Sequence, residues 1–204
     1  MSKLYAGTAL AIVLVFLCGS YAYIEYQSAG DPFADCRGGQ VSGGDIGGPF
    51  TLVDETGATV TDTDVITKPT LVYFGYTFCP DVCPLDAARN AEVVDILEEQ
   101  GLEVTPVFIT IDPERDTPSV LAEFTDNLHP RMIGLTGSAE QVKAVSTAYK
   151  TYYKKQETGD QFYLMEHTTF TYLMLPKLGF VDFYTRDDTA NKIAEHAACI
   201  ISKT

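Results

Sequence analysis

Thr70-Leu71-Val72-Tyr73-Phe74-Gly75-Tyr76-Thr77-Phe78-Cys79-Pro80-Asp81-Val82-Cys83-Pro84 is the stretch on which the fold turns. Residues 70–74 form an apolar run of strand-favouring types, the pattern of a buried β-strand. After Pro84 the period changes. Ala88, Ala91, Val94 and Leu97 recur at helical spacing, and Gly101 ends the run. Cys79 and Cys83 sit at the switch. A strand that stops where a helix begins offers thiols the positive helix N-terminus, which lowers their pKa and favours thiolates. Two thiolates there can close a disulfide or hold a soft metal.

Working outward, Val104 to Ile111 reads as a second buried strand. Thr117-Pro118 opens a helix, with Thr as N-cap and Pro at the first helical position. A further helix is predicted from Ser138 to Tyr149, strands at Thr168–Leu175 and Phe180–Tyr184, and a last helix from Thr189 to Ile201. Ahead of them, Phe50 to Val60 reads as two short strands around a turn at Gly57. The order β-α-β followed by β-β-α predicts an α/β, thioredoxin-like fold. It has a central mixed sheet flanked by helices and an extra helix between its halves. In that architecture functional thiols stand at the end of the first core strand, where Cys79 and Cys83 are.

The chain has 204 residues, 46% of them apolar and 21% charged, which suits one globular domain with a tail. Its net charge of −14 argues against a nucleic-acid partner, which needs a basic face. Tyr5 to Ile24 carries no charged residue, and about 20 such residues can span a bilayer as a helix. Lys3 precedes the run and Glu25 follows it, which places the remainder outside the cytoplasm. Residues 1–24 are therefore expected to be a transmembrane anchor, with a signal cleaved near Ser20-Tyr21-Ala22 as the rival. Cys18 is expected inside that segment, because Leu17 is too large for a lipoprotein site. Residues 25–48 read as a flexible tether containing Gly38-Gly39, Gly43-Gly44 and Gly47-Gly48. Residues 49–204 are the expected domain.

Four segments together resemble one family. Phe74 to Pro84 is similar to the core motif of the Sco/SenC copper proteins, which assist cytochrome c oxidase assembly. Thr110-Ile111-Asp112-Pro113-Glu114-Arg115-Asp116-Thr117-Pro118, Ile133-Gly134-Leu135-Thr136-Gly137 and Glu166-His167-Thr168 resemble three further segments of that family, in order, and the likeness runs over about residues 48–200. One departure is visible: Glu166 stands where the family usually has Asp. The resemblance implies a copper site, Cu(I) or Cu(II), made by Cys79, Cys83 and His167, and a Cys79–Cys83 disulfide that is redox-active when metal-free. It implies a metallochaperone rather than an enzyme, loaded by an upstream copper donor and delivering to the binuclear copper site of cytochrome c oxidase subunit II. The domain would face the periplasm, or the intermembrane space in a mitochondrion. Two thiolates and an imidazole suit soft Cu(I) and also accept Cu(II).

Other readings of the same residues stand beside that one. A thiol–disulfide oxidoreductase that keeps the subunit II cysteines reduced fits the thioredoxin-like frame, although the spacing is C-x-x-x-C and not C-x-x-C. Val82-Cys83-Pro84 is similar to thiol peroxidases, but these carry Thr three residues before the reactive Cys, where this chain has Pro80. His167 separates copper delivery from both, since neither redox role needs an imidazole ligand. Asp81 is expected to cap the following helix or the turn, and Asp112 and Asp116 to stabilise the loop rather than touch metal. Met165 is assigned to the core, and His129 and His196 to structural roles. Cys36 and Cys199 remain; outside the cytoplasm they invite pairing. Closing so long a loop contributes about 3–5 kcal/mol in the chain-entropy picture.

Overall fold

The computed structural model describes residues 2–28, 32–36, 45–156 and 163–204, with the side chains of residues 2–4, 6, 8, 9 and 25–28 outside the description. It divides into two compact units, residues 1–42 with 202–204, and residues 43–201. In the first, α1 (Ser2–Ser28) is followed by a 3-10 turn at Ala34–Cys36, where Phe33 and Cys36 are buried. Leu10 and every residue from Ile12 to Leu17 are exposed on α1. Among the described residues, no helix is long and apolar enough to cross a membrane. The expected anchor over residues 5–24 includes Ala6, Thr8 and Ala9, whose side chains lie outside the description. The tether glycines Gly38, Gly39, Gly43 and Gly44 lie outside the described residues too, whereas the Gly47 amide donates to the Ala148 carbonyl at 3.0 Å.

The second unit runs β1 (Thr51–Asp54), β2 (Thr59–Thr61), α2 (Asp62–Val65), β3 (Thr70–Gly75), α3 (Val82–Glu99), β4 (Thr105–Thr110), α4 (Pro118–Asp126), β5 (Ile133–Thr136), α5 (Ala139–Ala148), β6 (Tyr153–Lys155), β7 (Met165–His167), β8 (Thr171–Leu175), β9 (Gly179–Tyr184) and α6 (Ala190–Ser202). Seven strands form one mixed sheet in the order β2-β1-β5-β4-β3-β8-β9, and β6 and β7 pair apart from it. β3 is parallel to β4 and antiparallel to β8. All six residues of β3 are buried, as a strand covered on both faces requires. β3-α3-β4 and β8-β9-α6 are the two halves of the thioredoxin-like core, and α4, β5 and α5 lie between them in sequence.

Local chemistry explains the borders. α3 buries Cys83, Asp86, Ala87, Asn90, Ala91, Val94 and Leu97, a single face at i, i+3 and i+4 spacing. Its end is closed by Gly101 at φ +78°, while the amides of Gly101 and Leu102 donate back to Glu98 and Leu97. Thr117 caps α4 by accepting from the Val120 amide, with Pro118 in the first turn. Ser138 and Gln141 cap α5 reciprocally. The strand expected over Thr168–Leu175 is shorter, since residues 168–170 form no strand. β7 ends at His167 and pairs with β6 in the register Tyr153↔His167, and β8 starts only at Thr171.

Gly75 closes β3 under crowding. A Cβ there would stand 2.8 Å from Tyr73 Cε1 and 3.0 Å from the Phe108 ring. Two packed aromatic rings have little freedom to retreat. Gly75→Ala is expected to destabilise the domain by about 1–3 kcal/mol, the range for overpacking a tight interior. A thermal melt of the full-length chain checks this, with a midpoint several degrees below that of the unsubstituted protein.

Candidate metal centre

The C-terminal end of β3 delivers residues 76–81 to the start of α3, and the turn is held by a carboxylate. Asp116 is fully buried and accepts from the Thr77 amide at 3.0 Å, the Thr77 hydroxyl at 2.6 Å and the Thr110 hydroxyl at 2.6 Å. Burial raises its pKa while those donors work in the opposite direction. Asp116 thus ties the cysteine loop to the end of β4 and supports the site without facing it.

Asp81 is the N-cap residue of α3, but its side chain makes no capping bond. This corrects the capping role expected for its carboxylate. The acceptor is sulfur: the Cys83 amide donates to Cys79 Sγ at 3.2 Å. A sulfur held by first-turn amides sits where the helix dipole stabilises negative charge. Burial opposes ionisation of Cys79, but bonds from the Asp81, Cys83 and Val82 amides and from the Cys83 thiol hold its pKa below the ordinary thiol value. Cys83 is wholly buried. Desolvation pushes its pKa well up, and the charge on Cys79 adds to the rise. One thiol of the pair is prepared to ionise and the other keeps its proton. Both are free thiols, as is Cys18, whereas Cys36 and Cys199 are disulfide-bonded.

His167 arrives from β7. Its Nδ1 lies 2.8 Å from the Thr168 carbonyl oxygen, which can only accept, so Nδ1 carries the proton. Nε2 then holds the free lone pair, and it lies 3.3 Å from Cys83 Sγ. Burial lowers the imidazole pKa, against the bond to Thr168 and the charge of Asp86, so the neutral ring is favoured. Tyr73 and Tyr76 meet the ring edge-on, with centroids 6.4 and 5.9 Å away. The Tyr73 hydroxyl donates to Asp86 Oδ2 at 3.1 Å, and Asp86 is flanked by Arg89 at 3.7 Å and Arg186 at 3.5 Å.

The structure brings Cys79 and Cys83 into one core cluster and His167 against Cys83, yet not into a closed shell. Among the described residues, no group of three or more His, Cys, Asp and Glu side chains is gathered closely enough to hold a metal ion. The reason is local: Cys79 Sγ is turned to the Cys83 amide, which leaves Cys83 and His167 as the pair in contact. Met165 is buried in the core, and His129 lies against Asp95 at 3.3 Å, both away from this role. Sequence reasoning missed Tyr73, Asp86 and Arg115. A charged Asp86 at helical spacing from Cys83, on a face where Asn90 is the other polar side chain, was the available signal for one of them.

The SCO1/SenC family profile matches residues 39–202. Protein SenC of Rhodobacter capsulatus is 54% identical over 197 residues, covering 96% of this chain and 88% of the relative. The crystal structure of Arabidopsis thaliana ScoI with copper bound superposes at a TM-score of 0.74 with 41% identity, covering 77% of this chain and 99% of that one. Copper-bound ScoI of Bradyrhizobium japonicum gives 0.69 with 39% identity, covering 78% and 99%. With its thioredoxin-like sheet, its paired thiols at the head of α3 and a profile match over most of its length, the chain belongs to the SCO1/SenC family.

Proposed function

We propose that this protein is a copper metallochaperone that binds copper through Cys79, Cys83 and His167 and delivers it to the binuclear site of cytochrome c oxidase subunit II. The observation that carries the reading is the unprotonated Nε2 of His167 facing Cys83 Sγ at 3.3 Å. Two thiols and an imidazole with a free lone pair are a donor set for a soft ion. The remaining donor is Cys79 Sγ, which accepts from the Cys83 amide at 3.2 Å. Support comes from the relatives: the Arabidopsis and Bradyrhizobium proteins, at 41% and 39% identity, have structures with copper bound. A more distant structural neighbour is described as a member of the Sco family of cytochrome c oxidase assembly proteins. Copper here is cargo, and uptake releases the thiol protons.

A second reading has its own support. One thiol with a lowered pKa beside one with a raised pKa is an arrangement suited to disulfide exchange, in which a thiolate attacks and its neighbour resolves. Reduction of the subunit II cysteines is therefore the alternative function.

We infer further that α1 is a membrane anchor and that the domain lies in the periplasm or its equivalent. The consecutive exposed apolar residues of α1 wrap the whole helix, a pattern that suits lipid and not water. The same compartment would allow Cys36 and Cys199, both disulfide-bonded while the other cysteines are free, to pair with each other.

Three outcomes are expected. In the full-length chain, Cys79→Ser or Cys83→Ser should abolish tight copper binding. His167→Ala should weaken Cu(II) by at least about tenfold, equal to about 1.4 kcal/mol, and Cu(I) far less, since two thiolates alone hold Cu(I). Unchanged copper stoichiometry and affinity in all three variants, measured anaerobically, would sink the assignment. In cells lacking the protein, His167→Ala should give low oxidase activity at limiting copper, partly rescued by added copper. Full activity with His167→Ala, alongside failure of the double cysteine variant, would make the protein a reductase. An alkaline phosphatase fusion after residue 48 should be active, and the exported chain, mapped without reductant, should yield the Cys36 and Cys199 peptides joined. An inactive fusion would count against the topology.

A further inference from the structure

His167 reaches the thiols on a short strand outside the main sheet, so something must hold that strand against the cysteine loop. Arg115 is placed to do so. It follows β4 and forms an ion pair with Asp112, which is buried. Its Nη1 donates to the Tyr163 carbonyl at 3.0 Å, and its guanidinium lies 3.6 Å from the centre of the Tyr163 ring. The Tyr163 hydroxyl in turn donates to Asp112 Oδ1 at 2.8 Å. On the other side the guanidinium lies 4.8 Å from the ring of Phe78, the neighbour of Cys79. It is 5.7 Å from the ring of Tyr76, which itself meets the His167 imidazole.

We propose that Arg115 positions His167 against the thiols, by clamping the Tyr163–His167 segment to the Phe78–Cys79 loop. A bland alternative is that Arg115 only neutralises the buried Asp112. The chemistry of the two differs. Neutralising a carboxylate needs a positive charge, which Lys supplies. Donating to Asp112 and to the Tyr163 carbonyl together, while stacking on aromatic faces, needs the planar fork of a guanidinium.

The inference rests on the copper reading for its metal readouts, and the test keeps the two separable. In the full-length chain, Arg115→Lys should lower Cu(II) affinity by about 10-fold or more, as losses of residues that orient a ligand do, and shift the Cu(II) absorption and electron paramagnetic resonance spectra. Cu(I) affinity, carried by the thiolates, should stay within about threefold of the unsubstituted value, since the clamp acts on the imidazole. Because Arg115 acts through His167, adding Arg115→Lys to His167→Ala should cost nothing further. In the metal-free chain, amide exchange at Leu164 to His167 should quicken. Should Arg115→Lys fail to fold, Tyr163→Leu removes the stacked ring from the opposite side and must give the same pattern. Unchanged Cu(II) affinity and spectra in a folded variant would overturn the proposal. So would equal losses with and without His167, or unchanged amide exchange. If the unsubstituted chain takes up no copper, the copper reading fails, and amide exchange alone decides the clamp.

Discussion

The buried carboxylate of Asp116 is the constraint on which the site depends. It lies in the segment between β4 and α4, yet its three donors come from Thr77 and Thr110. Without a partner, a carboxylate this deep would cost several kcal/mol in desolvation. With three donors, it fixes where the chain leaves β3, and hence where Cys79 and Cys83 stand relative to the first turn of α3. Most of the site follows from that turn: the Cys83 amide meets Cys79 Sγ, the helix dipole acts on one sulfur, and burial acts on the other.

The two thiols are two residues of one motif in two environments. Cys79 is at the edge of the core among amides, and Cys83 is sealed inside it. The asymmetry explains why both copper binding and disulfide exchange are credible chemistry for one scaffold. Both need a thiolate that forms readily and a second sulfur beside it. What tilts the site towards metal is the imidazole. Thiol exchange needs no imidazole ligand, whereas on the proposed copper reading an Nε2 lone pair 3.3 Å from a thiol sulfur is the third donor. The ring's tautomer is set by one backbone carbonyl, that of Thr168, so the chain immediately after His167 leaves Nε2 as the atom with the free lone pair.

The second level of support is aromatic and charged. Tyr73 and Tyr76 confine the imidazole, and Tyr73 passes a hydrogen bond to Asp86, itself flanked by two arginines. Arg115 is the counterpart on the other side, bridging loop and hairpin by stacking and by its fork of donors. These groups lie far apart in sequence, between residues 73 and 186, and β3 and β4 end, β8 begins and β9 ends at the same edge of the main sheet.

By itself the sequence determined the elements whose signals are local. The apolar run of β3, the helical period of α3, the Thr117-Pro118 and Ser138 caps and the turn at Gly57 all depend on neighbours a few residues away, and each is where the pattern put it. It also marked the cysteine pair, since the switch from strand to helix is written in the same fifteen residues. Tertiary structure alone decided the rest. β5, β6 and β7 are three or four residues long, too short for periodicity to reveal, and exist because partner strands supply their hydrogen bonds. The sulfur that caps α3 in place of Asp81, the unequal thiols and the Arg115 stack likewise depend on packing between segments distant in sequence. Burial and electrostatic neighbours are properties of the folded chain, and no window of sequence contains them.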